Sequence, residues 1–264
     1  MTTLAYTVSD AATMLRRSLR HMLRYPSLTF FVVGIPVVLM LLFVYVFGGT
    51  MGAGLGGASS GRAEYLRYLV PGIIVITVAT AAQGTAISIA MDMTEGIISR
   101  FRTMAISRAS VLTGHVVGSM IQTMLGIAAV IGVALLLGFR PAAGPAGWIG
   151  AIGILAMTAL ALIWLCVALG MVTKSVEAAS NLPMPLMLLP FLGSGFVPTA
   201  SMPVGMRWFA EHQPFTPIIE TLRGLLMGAP VGSTAAVAVA WCAGITLFGY
   251  LWARALYNRD PVAR

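Results

Sequence analysis

With 264 residues, 58% of them hydrophobic and 9% charged, and a mean hydropathy of +0.92, the chain is unlike a soluble domain, where about a quarter of residues are charged. Its formal net charge of +8 comes almost wholly from arginine, since Lys174 is the single lysine, and the arginines flank long apolar runs. That placement argues against a nucleic-acid partner and for anionic lipid and membrane orientation signals.

Residues 9–25 come first. Leu15, Leu19, Met22 and Leu23 share one helical face and Arg16, Arg17, Arg20 and Arg24 cover the other, with Ser9 or Asp10 as cap. This pattern predicts an interfacial helix at the membrane entrance. The first apolar run starts near Ser27, too far into the chain and too long for a cleaved signal, so it is expected to remain as a span.

Six apolar runs follow, at about 28–48, 69–91, 111–138, 148–171, 181–199 and 232–253. Pro36 should kink the first. The fifth contains Pro183, Pro185, Pro190, Gly193, Gly195 and Pro198, and it should be broken instead of straight. With the N-terminus inside, eleven Lys and Arg residues fall on the cytoplasmic side and five (Arg62, Arg67, Arg140, Arg207 and Arg223) fall outside. That imbalance places both termini in the cytoplasm of a multi-pass cell-membrane protein.

Between the second and third runs lies the most charged internal stretch, residues 92–108, with Asp92, Glu95, Arg100, Arg102 and Arg108. A charged helix there belongs at or beyond the water interface, where a soluble partner can grip it. Residues 200–230 are too polar for a span and too apolar for a solvated loop. They are expected to form two short helices, split at Gln213-Pro214-Phe215, that dip into the outer leaflet. In this reading Pro214 ends the first helix, Thr216 caps the second with Pro217 at its first position, and Glu220 pairs with Arg223 on the wet face.

Catalytic patterns are missing. Lys174-Ser175 ends like a phosphate-binding loop, but Ala168 and Thr173 stand where its glycines must be. Gly57-Ala58-Ser59-Ser60-Gly61 matches a nucleophile elbow by letter, yet it lies in a glycine-rich loop without the flanking strand and helix. The cysteines, Cys166 and Cys242, fit no metal spacing and read as packing residues. None of the six runs contains Asp or Glu, so ion coupling within the bilayer is not expected. The polar side chains inside them are Gln83, His115, Gln122 and Asn181, with His115 read as snorkelling or helix–helix hydrogen bonding and a proton relay as the alternative. Gly114 and Gly118 form a small-xxx-small pair.

Glu95, Gly96, Arg100, Phe101, Arg102, Thr103, Met104, Ile106, Ser107 and Arg108 resemble the cytoplasmic loop of ABC-2-type transporter permeases, especially the daunorubicin-resistance-like drug exporters. Ser99 and Ala105 depart from the usual acidic residue and proline. Val197-Pro198, Met202-Pro203, Gln213-Pro214-Phe215-Thr216-Pro217, Arg223 and Gly228 resemble the family's outer re-entrant segment, where Asn-Pro is commoner than Gln-Pro.

The resemblance implies an all-α membrane protein. Its expected fold is a single ABC-2-type transmembrane domain over 1–264: six transmembrane helices, the interfacial helix, a cytoplasmic coupling helix and an outer re-entrant hairpin between spans five and six. The implied function is the permease subunit of an ATP-driven exporter of an amphipathic drug, natural product or lipid. A polysaccharide or glycolipid exporter, or a non-transporting scaffold, are the alternatives. No cofactor is expected on this chain, because ATP and Mg would sit on a separate ABC ATPase subunit. A second permease protomer, expected as a homodimer, and membrane lipid complete the partners. Glu95, Gly96, Arg100, Phe101, Arg102 and Met104 would engage the ATPase. Pro214, Phe215, Ile219 and Leu222 would form an outer gate. The solute path would run between protomers near the inner ends of spans one, two and five.

Overall fold

The computed structural model describes residues 26–50, 61–95 and 108–258. The interfacial-helix arginines Arg16, Arg17, Arg20 and Arg24, the coupling residues Gly96, Arg100, Phe101, Arg102 and Met104, and most of the Gly57–Gly61 pattern lie outside the described residues. Every regular element within them is helical, and no strand occurs among the described residues.

In chain order α1 is Pro26–Leu42 and runs into a π-helical turn, Phe43–Phe47. Then come α2 (Arg62–Thr94), α3 (Arg108–Leu136) and α4 (Pro145–Val172). A broken stretch follows: α5 (Val176–Asn181), α6 (Met184–Leu188) and 3-10 turns at Leu189–Leu192 and Thr199–Ser201. The chain ends with α7 (Val204–His212), α8 (Phe215–Met227) and α9 (Gly232–Tyr257). Five helical stretches, Val32–Thr50, α2, the Leu112–Leu136 part of α3, α4 and α9, are long and apolar enough to cross a membrane. The expected fifth span, 181–199, is not a single helix. Pro183, Pro185 and Pro190 each withdraw an amide from the i to i−4 ladder, and the chain advances in pieces.

The second span is longer than the expected 69–91. At 33 residues α2 runs about 50 Å, well past the thickness of a hydrocarbon core. It therefore takes in Glu64 and Arg67 at one end and Asp92 at the other, which hydropathy had left outside. Pro36 lies inside α1 as expected, and the departure from α-helical winding comes a little later, at the π turn over Phe43–Phe47.

α2 is the hub: α1, α3, α4, α5 and α8 all pack on it. Its contacts depend on small residues. A Cβ built on Gly72 would lie 2.7 Å from the Gly195 carbonyl oxygen, and one on Gly170 of α4 would lie 2.5 Å from that of Ala86. The expected Gly114 and Gly118 pair on α3 is buried, as close helix approach requires. Buried threonines settle their hydroxyls inside the helix, Thr77 to the Ile73 carbonyl and Thr80 to that of Ile76, both at 2.9 Å.

α4 and α9 run parallel. Thr158 Oγ1 lies 3.5 Å from Cys242 Sγ, and further along both helices Gly249 meets Trp164 and Leu165. Both cysteines are free and buried, as packing residues should be. Two parallel membrane-length helices, with no other of that length between them, force the intervening chain to travel back. It does so beside α2, with Ser180 level with Gln83, Gly195 with Gly72 and Phe196 with Tyr65.

Candidate functional site

The returning stretch, 173–203, has too few intrahelical bonds to satisfy its own backbone. In an apolar surrounding an unpaired carbonyl costs several kcal/mol, so other elements must supply donors. Three long polar side chains do so. Gln83 Nε2 of α2 donates to the Ser180 carbonyl at 2.5 Å. Gln213 Nε2, in the joint between α7 and α8, donates to that of Leu189 at 3.0 Å. Arg223 Nη2 of α8 donates to that of Ser194 at 2.6 Å. The Tyr65 hydroxyl reaches the Phe196 carbonyl at a longer 3.5 Å. The Gly193 amide region is so tight that an added Cβ would collide with the Gln213 amide nitrogen, so Gly193 admits the peg that holds its own segment.

The hairpin of 200–230 has the expected form, with helices α7 and α8 meeting at Gln213 and Pro214. Three details differ. Pro214 caps α8 and Phe215 is its first residue, so Pro217 is third, still among the four positions whose amides have no helical acceptor. Thr216 does not cap its own helix; its hydroxyl accepts the Ser194 amide at 3.3 Å and faces the Gln213 side chain. Arg223 makes no ion pair with Glu220. Its guanidinium turns inward, 3.8 Å from the Tyr68 ring centroid, and donates to the Tyr68 and Ser194 carbonyls. The Ser194 carbonyl, freed by the broken stretch, and the ring and carbonyl of Tyr68 on α2 hold the buried cation better than an exposed glutamate does. The one ion pair of the hairpin is on α7, Arg207 to Glu211 at 2.7 Å.

Among the expected gate residues, Phe215, Ile219 and Leu222 are buried against the rest of the protein. α8 packs on α2, α4 and α9. α7 is different: Val204, Met206, Trp208 and Phe209 are all exposed, and only Ala210 is buried. Facing the broken stretch, Phe43 of the π turn packs on Phe196 at 4.7 Å between centroids, and Phe191 stacks on Phe196 at 4.4 Å.

At the opposite end, hydropathy missed an acidic group. Asp92 is buried near the end of α2, and its carboxylate lies 3.0 Å from His115 Nε2 on α3. His115 is thus a helix–helix partner, as its sequence context suggested, and its partner is the carboxylate that the 69–91 boundary cut off. The pair joins α2 to α3 where the chain leaves for the 96–107 connection. Glu95 is exposed at that exit, its amide bonded to the Met91 carbonyl at 2.9 Å. Ser175, next to Lys174, caps α5, its Oγ accepting the Ala178 amide at 3.2 Å. No group of His, Cys, Asp and Glu that could hold a metal occurs among the described residues.

Apolar membrane-length helices around a hub, a proline-broken return and a capping hairpin define a multi-pass membrane protein built around an interrupted helix. The family model described as ABC-2 type transporter matches residues 10–227, most of the chain, and the protein belongs to that family. It is similar to the daunorubicin resistance ABC transporter permease protein DrrB1 of Streptomyces coeruleorubidus, 29% identical over 226 residues, covering 85% of this chain and 77% of the relative. It is also similar to the probable doxorubicin resistance ABC transporter permease protein DrrC of Mycobacterium tuberculosis. That relative is 26% identical over 211 residues, covering 79% of this chain and 75% of its own. The chain is a membrane permease of the ABC transporter type.

Proposed function

We propose that this permease is the transmembrane half of an ATP-driven exporter that moves an amphipathic drug, natural product or lipid out of the cell. The observation that carries the reading is the family match over residues 10–227, with relatives named for daunorubicin and doxorubicin resistance. The broken stretch 173–203 makes the fifth of six crossings, which returns the chain between the parallel α4 and α9 and leaves both termini in the cytoplasm. Two protomers, as a homodimer, enclose the path, and lipid surrounds them.

ATP and Mg are bound and ATP hydrolysed on a separate ABC ATPase subunit. It docks on residues 92–108, with Phe101 and Met104 in an apolar groove and Glu95, Gly96, Arg100 and Arg102 setting register. The Asp92–His115 bond supports this by tying together the two helices from which the segment hangs. On the other side α7 and α8 form the outer gate, hinged at Pro214, with Phe215, Ile219 and Leu222 as its buried face. The test is Glu95→Ala and Arg100→Ala in cells that hold the ATPase partner. Both variants are expected to insert at normal levels and to lose at least about tenfold in export, the effect of removing a charge-assisted contact. Normal export by both would refute docking at this segment.

A further inference from the structure

Beside the Arg223 peg, α8 and the start of α9 enclose an open cavity of about 420 Å³. Glu220, Arg223, Gly224 and Met227 line it from α8, Ala229, Pro230 and Val231 from the turn, and Thr234 from α9. Arg223 has five N–H donors in a fixed fork. Nε and Nη2 are committed to the Tyr68 and Ser194 carbonyls and the guanidinium also engages the Tyr68 side chain, while Nη1 reaches no carbonyl among the described residues. Its positive charge is therefore held in place by neutral partners and left without a paired anion. Glu220, three residues earlier, acts on it through space without an ion pair and is exposed.

A cation and an anion kept apart at one cavity suit a ligand that carries both charges. The lining between and below them is apolar. From Thr234 the exposed residues Val237, Trp241 and Phe248 continue along one face of α9 at helical spacing, an apolar track leading away from the cavity.

We propose that this cavity binds the headgroup of a zwitterionic phospholipid of the phosphatidylethanolamine class. The phosphate takes the Nη1 donors of Arg223, the ammonium faces Glu220, and an acyl chain lies along Val237, Trp241 and Phe248. Because α8 carries the same arginine that holds the Ser194 carbonyl, an occupied site adds an anionic partner to the peg of the broken stretch. The assignment stands on the cavity and is independent of the exporter reading.

The test uses the full-length chain purified in detergent and native mass spectrometry with added dioleoylphosphatidylethanolamine or dioleoylphosphatidylglycerol. The wild type is expected to hold the first lipid about tenfold more tightly, the factor one charge-assisted contact represents. Glu220→Gln should erase that preference. Thr234→Trp, which fills the cavity from α9 without touching the Arg223 bonds to Tyr68 and Ser194, should abolish retention of both lipids. Equal retention of the two lipids by the wild type overturns the proposal, as does unchanged retention by Thr234→Trp. Displacement by glycerophosphoethanolamine at equal concentration also overturns it, since the site would then select a soluble headgroup. No arm requires ATP, a partner subunit or transport, so this test and the export test fail separately.

Discussion

α2 and α9 are both long and apolar, and hydropathy ranks them side by side, yet the protein uses them in opposite ways. In the most apolar stretch of α2, 78% of residues are buried inside the protein; in that of α9 the share is 17%. Small residues mark the closest contacts of one helix and large ones the exposed face of the other. α2 buries Gly72, Ala79, Ala81, Ala82, Ala86 and Ala90 with three threonines, while α9 exposes Val237, Trp241, Leu247, Phe248, Tyr250 and Leu251. Lipid tails are as apolar as leucine, so exposing large residues to them costs little, and close helix contact is won by small ones. Position in the bundle, more than composition, separates hub from rim here, because α2 also buries Tyr65, Leu69, Ile73 and Ile76 while α9 also exposes Ala236, Ala240 and Gly244.

The sharpest way to break the comparison is one substitution made on each helix. Gly72→Leu drives a side chain into the Gly195 backbone, which cannot yield as a flexible side chain would, and should cost about 3 kcal/mol or more. Gly244→Leu on α9 meets nothing within 4 Å and should leave stability unchanged. Folded yield by fluorescence-detected size exclusion checks both; equal losses would mean that the two helices share one environment.

A smaller effect is expected where α2 meets the hairpin through the broken stretch. Gln213→Leu leaves the Leu189 carbonyl without its donor and should destabilise by about 1–2 kcal/mol in unfolding by a denaturing detergent. An unaltered midpoint would show that this carbonyl finds another partner. The smallest effect belongs to α9: Phe248→Ala trades a ring for lipid contact and should change stability by less than about 0.5 kcal/mol by the same measurement. A loss near that of a core phenylalanine, about 3–5 kcal/mol, would place a protein surface over it.

The amino-acid sequence carried the long helices and the hairpin clearly, because both are written in local chemistry: unbroken apolar runs, and Pro214 at the joint between two short amphipathic helices. The break in 181–199 was equally legible, since three prolines cannot share one ladder. What it could not carry was direction. Nothing in the order Glu220, Thr221, Leu222, Arg223 tells that the arginine turns toward Tyr68, for the attracting carbonyl belongs to Ser194, distant in sequence and freed only by the break. Asp92 was misplaced for a related reason. A carboxylate counts as a span boundary until a partner is found for it, and His115 lies on the next helix. Of the candidate site, the burial of Phe215, Ile219 and Leu222 was legible in their spacing, whereas Gln83 and Gln213 were seen only as polar residues and not as pegs.

The pegs have a consequence for how the protein opens. A continuous helix in lipid releases its backbone cooperatively, because each hydrogen bond lies inside the same ladder. Ser180, Leu189 and Ser194 instead have their carbonyls held by side chains from separate elements, and each of those can rotate away alone. The returning stretch is therefore expected to loosen peg by peg and not all at once, each carbonyl being held by a residue outside the segment itself.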